Sequence, residues 1–238
     1  AGHCHPDVQA AVIDQAQSGL LHSYCFPNEE RAELVECLVG LAPEGLDKCF
    51  LLTTGSETTE CALKLSRSWG QRTGGDRKIK IISFHQGFHG RTMGAQQMGP
   101  LGGGNRWIRN LDPDIHHVPF PDGYRVEDTS FDLFLRTLAE AGVDGDQVAG
   151  VITETYQGVG PDFLPVEYAQ KLRRWCDDHG AVLIFEGPAP AYDDFLNHIR
   201  SRLHLVPRYR QKLAFPPLET GRPVWVDDPH FNLAYHVR

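Results

Sequence analysis

At 238 residues, with 41% hydrophobic and 23% charged side chains, the chain has a globular composition and the length for one large domain or two small ones. Its formal net charge of −8 argues against a nucleic-acid surface, and no apolar run approaches membrane-spanning length. With no signal-peptide pattern at the start, the expectation is a cytoplasmic protein without a membrane span.

Val8 to Leu21 carries apolar residues at helical spacing, and Glu29 to Leu41 repeats that pattern with a broad apolar face. Cys49 to Leu52 is a short apolar run of strand character. Thr53, Thr54, Gly55 and Ser56 follow, and a helix begins at once, with Thr54 and Glu57 at capping-box spacing and Glu60 four residues before Lys64. A strand that turns through Gly into a capped helix aims free N–H groups at one point, which suits an anion such as a phosphate. Taken alone, the segment reads more simply as an ordinary βα turn, because Gly and Ser are common turn residues.

Lys78 to Phe84 reads as a strand and runs into His85-Gln-Gly-Phe88-His89-Gly90-Arg91-Thr92, a glycine-flanked loop. Residues 99–125 are rich in Gly, Pro and Asp and show no convincing element. Phe131 to Ala141 returns to helix, Val148 to Thr153 is a buried strand, Val166 to His179 a helix, and Ala181 to Phe185 another buried strand. This alternation predicts an α/β fold: a mostly parallel sheet with helices on both faces. Ligands of such sheets sit at the carboxyl ends of strands, where Thr54-Gly55-Ser56, Phe88-His89, Glu154 and Glu186 fall.

Six cysteines, at 4, 25, 37, 49, 61 and 176, form no C-x-x-C pair, and the apolar neighbours of Cys49 and Cys61 suggest buried reduced thiols. His3, Cys4 and His5 have no second cluster at finger spacing, so they read as a turn before Pro6, and no metal is expected. The chain opens on Ala1 and closes inside a strand-like run, Tyr235 to Arg238, which reads as a fragment.

Together GHCHPDV, TTGSETTECALKLSR, FHQGFHGRT, ETYQG and LRRWCDDHGAVLIF, in that order over residues 1 to about 185, resemble the class III pyridoxal-phosphate aminotransferases of fold type I. The resemblance implies a truncated large domain of that fold, with pyridoxal 5′-phosphate as cofactor. Thr54, Gly55 and Ser56 would cradle its phosphate. Phe88 would stack on its ring with His89 beside it, Glu154 would stand near cofactor and substrate, and Gln157 follows in the same motif. Glu186 would take the place of the family's Asp, whose charge keeps the pyridine nitrogen protonated. The implied activity moves an amino group from an amine or ω-amino acid to a 2-oxo acid, in a protein that is a homodimer when complete.

The chain departs from the family in two ways. Glu186 is one methylene longer than the family's Asp, and the motif after it is lost. None of the six lysines, at 48, 64, 78, 80, 171 and 212, stands in the context of the Schiff-base lysine, so no catalytic residue is assigned and transamination should be nearly abolished.

Beyond residue 185 the segments PAPAYDDFLNHIRSRLHLVPRYRQKL and PVWVDDPHFNLAYHVR resemble the N-terminal part of the bacterial wax ester synthase/diacylglycerol acyltransferases. That family's motif is His-His-x-x-x-Asp-Gly. His116-His117 with Asp122-Gly123 has four intervening residues, and Pro119 and Pro121 make the segment read as a loop. Tyr192 to Leu205 is expected as a helix, with strands at Val224 to Val226 and Phe231 to Val237, in a short unrelated α+β tail. The tail is locally basic, with Arg200, Arg202, Arg208, Arg210 and Lys212. The organisation expected is residues 1–185 as a partial transferase domain and 186–238 as a partial acyltransferase-like segment. The alternatives to an aminotransferase are an acyl-CoA-dependent acyltransferase fragment and an inactive fusion of two gene pieces.

Overall fold

The computed structural model describes residues 3–20, 26–100, 107–160, 162–186, 197, 200–201, 203–205, 210–214 and 224–232. The chain divides into two units, residues 1–52 and 53–238.

The first unit holds α1 (Pro6–Ser18) and α2 (Glu29–Leu41). Proline at the first position of α1 loses no hydrogen bond there, and Gly19 closes the helix in the left-handed region at φ 76°. Asn28 caps α2 by accepting from the Arg31 amide at 2.9 Å. Both helices match the predicted periodicity, yet neither buries a residue. The strand expected at Cys49 to Leu52 is not present: these residues join no ladder, and Phe50 is exposed. A four-residue strand is stable only beside a partner, and the described residues of this unit contain no other strand.

The second unit is built on a four-stranded, all-parallel sheet in the order β2-β1-β3-β6: β1 (Lys80–Phe84), β2 (Ile115–Val118), β3 (Val148–Glu154) and β6 (Val182–Glu186). Alternation along the strands divides the core between two faces. Ile82, Phe84, Val118 and Val151 pack with α5 (Phe131–Glu140) and α6 (Val166–His179) through Phe134, Leu138, Leu172 and Cys176. Ile81, Ala149 and Ile152 pack on the other face with Leu63 of α3 (Gly55–Gly74). The expected α/β layering with helices on both faces is the one observed.

Contact between α3 and the sheet is very close. A Cβ on Gly70 would lie 2.2 Å from the Lys78 carbonyl oxygen, and one on Gly150 would lie 2.8 Å from Ser66 Oγ. Only hydrogen fits at either position, so these glycines set the depth at which α3 sits.

The amino end of the sheet is tied by cations. Lys78 Nζ donates to the carbonyls of His179 (2.6 Å) and Asp146 (3.3 Å). Lys80 pairs with Asp114 at 3.2 Å, and Arg67 reaches Asp112 at 2.7 Å while its Nε donates to the Ile79 carbonyl at 3.0 Å. Burial would raise the Asp112 carboxyl, but the Arg67 guanidinium and the Asp114 amide outweigh it and hold the group below its ordinary value.

Residues 99–125 were expected to lack structure but contain β2. Its central residues, His116 and His117, hide the apolar pattern, and prolines follow within three residues. The His116-His117 pair therefore lies on a strand and not in a loop. A short α4 (Met93–Gln97) and a two-stranded ribbon, β4 (Tyr156–Gln157) with β5 (Asp162–Phe163), also go beyond the expected elements. Cys61, expected to be buried, is half-buried, as is Cys49 in the first unit; both are free thiols.

In the tail, β7 (Gln211–Ala214) and β8 (Val224–Asp227) form an antiparallel pair, with Lys212 and Asp228 in ionic contact at 3.1 Å. The strand expected at Val224 to Val226 is thus present. Most of the helix expected over 192–205 lies outside the described residues; of those described, Asn197, Arg200 and Ser201 are helical and Leu203–Leu205 is a 3-10 turn. Phe231 and Asn232 join no strand, and 233–237 lie outside the described residues.

Candidate functional site

A cleft of about 600 Å³ opens at the carboxyl end of the sheet. Its lining comes from the first two turns of α3, from the loop after β1 and from β3 and β6. That volume is in the range of small-molecule sites.

Its polar wall is the start of α3. Thr54 is the N-cap, its Oγ1 accepting from the Glu57 amide at 3.2 Å, while Glu57 returns a bond by accepting from the Thr53 amide at 3.0 Å. This box occupies the Thr53 and Glu57 amides. The Gly55 and Ser56 amides, as first-turn groups, have no intrahelical acceptor. A Cβ on Gly55 would meet nothing within 4 Å, so the space around that position is open. Ser56 Oγ accepts from the Arg91 amide at 3.2 Å, which leaves its hydroxyl hydrogen free to donate. Main-chain N–H groups and a hydroxyl at a helix N-terminus are a donor set suited to a phosphate.

Phe88, His89 and Gly90 form a second part of the lining, next to the helix start. Phe88 is 43% exposed, and the Arg91 guanidinium carbon lies 5.9 Å from its ring centroid. His89 is buried. Gly90, at φ +126°, passes so close to Ser56 that a Cβ would lie 2.4 Å from Ser56 Oγ. No L side chain is comfortable at that dihedral or in that space. Ile152 and Ile184, register partners on β3 and β6, supply apolar surface with Phe185.

The loop carrying Phe88 is held from several directions. Glu60 Oε1 accepts from the Thr92 hydroxyl at 2.6 Å and from the Gly94 and Ala95 amides at 2.8 and 3.1 Å, which caps α4. Gln157 Nε2 donates to the His85 carbonyl at 2.9 Å, and Glu154 accepts from the Phe88 amide at 2.9 Å. The rings of His85 and His117 stack at 5.9 Å, and His117 Nε2 meets the Gly99 carbonyl at 2.9 Å. Burial pushes the His117 imidazole down to about 4, and burial also lowers His85.

Of the residues predicted from sequence, Thr54, Gly55, Ser56, Phe88 and His89 line the cleft together. Glu154 and Gln157 are buried behind it and absent from its lining. Glu186 ends β6 opposite Glu154 in the ladder, and its side chain lies outside the described residues. Sequence reasoning missed Thr58 and Ala62, although their spacing of four and eight from Thr54 puts them on one face of α3. It also missed the capping role of Glu60. None of the five lysines of this unit lines the cleft: Lys78 and Lys80 belong to the amino end, and Lys64, Lys171 and Lys212 lie on α3, α6 and β7.

The family model "Aminotransferase class-III" matches residues 1–187, and the model "Wax ester synthase/diacylglycerol acyltransferase catalytic domain" matches 172–238. The chain is 36% identical over 186 residues to an acetylornithine aminotransferase of Methanopyrus kandleri, covering 78% of this chain and 43% of that protein. It superposes with a TM-score of 0.66 and 25% identity on an amine transaminase of an uncultivated Pseudomonas species solved in its pyridoxal-phosphate-bound form, over 77% of this chain and 44% of the other. It shares its fold with an (S)-enantioselective omega-transaminase of Thermomicrobium roseum, at a TM-score of 0.70 and 23% identity over 77% of this chain and 43% of that one. The chain therefore spans less than half the length of these relatives. Among the described residues no helix is long and apolar enough to cross a membrane. By the match over residues 1–187 and the parallel sheet that carries it, the chain belongs to the class-III aminotransferase family.

Proposed function

We propose that the cleft is the phosphate-and-ring half of a pyridoxal 5′-phosphate site, inherited from an enzyme that moves an amino group from an amine or ω-amino acid to a 2-oxo acid. The observation that carries this reading is one open cleft lined by the Thr54-Gly55-Ser56 helix start and by Phe88 and His89. The Gly55 and Ser56 amides and the Ser56 hydroxyl would hold the phosphate, and Phe88 would cover a face of the ring. When bound, the cofactor supplies an electron-withdrawing pyridine that stabilises negative charge on the amino-bearing carbon of the substrate. Ile152, Ile184 and Phe185 give that side of the cleft an apolar surface. No lysine of the unit stands in the lining to bind an aldehyde or carry a proton, so we assign this chain binding without transamination.

The organisation proposed is a partial transferase domain over 1–185 and a partial acyltransferase-like segment over 186–238, within a family member that is a homodimer when complete. The match over 172–238 supports the second part, although His-His-x-x-x-Asp-Gly does not occur in it. An inactive fusion of two gene pieces remains the second reading, and sequencing codons 180 to 192 from an independent clone tests whether the junction recurs.

The function is tested by titrating the purified chain with pyridoxal 5′-phosphate and then adding borohydride. Saturable binding that Ser56→Ala weakens, with no stoichiometric reduced adduct, is the expected result. A stoichiometric adduct at a single lysine overturns the inactive assignment, and absence of saturable binding overturns the site.

A further inference from the structure

We infer that Glu154 is a positioning residue that holds the main chain of Phe88 from behind the cleft and so sets the ring that lines it. This rests on the reading of the cleft as a phosphate-and-ring site. Glu154 ends β3, is 8% exposed and is not part of the cleft lining. Its Oε2 accepts from the Phe88 amide at 2.9 Å and its Oε1 accepts from the Gly158 amide at 3.2 Å. One carboxylate thus joins the loop that leaves β1 to the turn between β4 and β5.

The Phe88 ring needs such an anchor because it has little packing of its own. At 43% exposed, it belongs to neither apolar cluster of the core. Its place is set by the backbone that carries it, and the Glu154 bond acts at that residue's own amide. Support on either side is consistent with this. Gln157 holds the His85 carbonyl, and Ser56 holds the Arg91 amide. Gly87 completes the fit: a Cβ there would lie 2.9 Å from His89 Nε2 and 3.1 Å from the Phe84 carbonyl oxygen.

A carboxylate suits this role better than its neutral isostere. Two main-chain N–H groups point at two oxygens, and each bond is charge-assisted. Glutamine offers one oxygen and turns an NH₂ group toward the other donor, while alanine offers nothing.

Amide hydrogen exchange on the full chain reads the clamp directly. Glu154→Ala should raise exchange at the Phe88 and Gly158 amides by about tenfold or more, with α6 amides unchanged, and Glu154→Gln should release one of the two amides only. Exchange equal to the wild type at both amides overturns the inference. If Glu154→Ala does not fold, Glu154→Gln alone decides.

The consequence for the ring is read with two probes, pyridoxamine 5′-phosphate and inorganic phosphate. Glu154→Ala should weaken the first about as much as Phe88→Ala does, with the double variant no weaker than either single one, and should leave inorganic phosphate unaffected. Equal losses for both probes would make Glu154 a general structural residue and overturn its link to the ring. A wild-type chain that binds neither probe removes the proposed function of the cleft, while exchange at Phe88 still decides whether Glu154 holds it.

Discussion

The two ends of the parallel sheet are built from opposite chemistry. At the amino end Lys78, Lys80 and Arg67 bind carbonyls and carboxylates and close the structure. At the carboxyl end the cleft is lined by hydroxyls, main-chain amides, rings and aliphatic side chains, while the carboxylates of Glu60 and Glu154 brace its loop without lining it. Lys78 and Lys80 are thus structural cations. An amine in the cleft would be a functional one, and none of the described residues that line it carries one.

The sharpest way to break the contrast is at Lys78, which is 5% exposed. Lys78→Met keeps the aliphatic stem and removes both donors, leaving the Asp146 and His179 carbonyls without them. Urea unfolding should show a loss of about 2–4 kcal/mol, while phosphate binds the folded variant unchanged. A loss below about 0.5 kcal/mol would remove Lys78 from the account of the amino end.

Next comes pH, which should act on the carboxyl end. Folded His117 takes up its proton only near pH 4, against 6.5 for the unfolded side chain. Between those values the unfolded chain holds more protons, so stability is full above about pH 6.5 and falls as the pH drops toward 4. After discounting for partial exposure, the loss should be on the order of 2 kcal/mol, read as a falling melting temperature. His117→Phe should flatten that window; an unchanged slope would place the effect elsewhere.

The smallest effect is expected at Thr54. Thr54→Ala removes the cap of α3 and should cost about 1 kcal/mol. Unlike Lys78→Met, it should also weaken phosphate binding, because it loosens the turn that presents the Gly55 and Ser56 amides. Phosphate affinity equal to the wild type would separate the cap from the cleft.

Much of this was legible in the residues. Strands β1, β3 and β6 and helices α5 and α6 follow from apolar runs and periodicity, because each buries a continuous stripe. The exception to that logic is instructive: α2 has the same periodicity but buries nothing, since period reveals a face and not what covers it. β2 was hidden by two central histidines, and Cys49 to Leu52 looked like a strand only because a short apolar run carries no information about its partner. In the cleft, Thr54 to Ser56 and Phe88-His89 could be found by order along the chain. The placement of Glu154 and Gln157 behind the cleft could not, because it depends on which amides of a distant loop face them.

The segment shared by both family models, residues 172–187, covers most of α6 and all of β6. Its helix packs on the sheet and its strand pairs with β3. Among the described residues β6 is the edge of the parallel ladder: its pairing with β3 is complete up to Glu186, and its outer row of backbone groups is open to whatever the chain carries next.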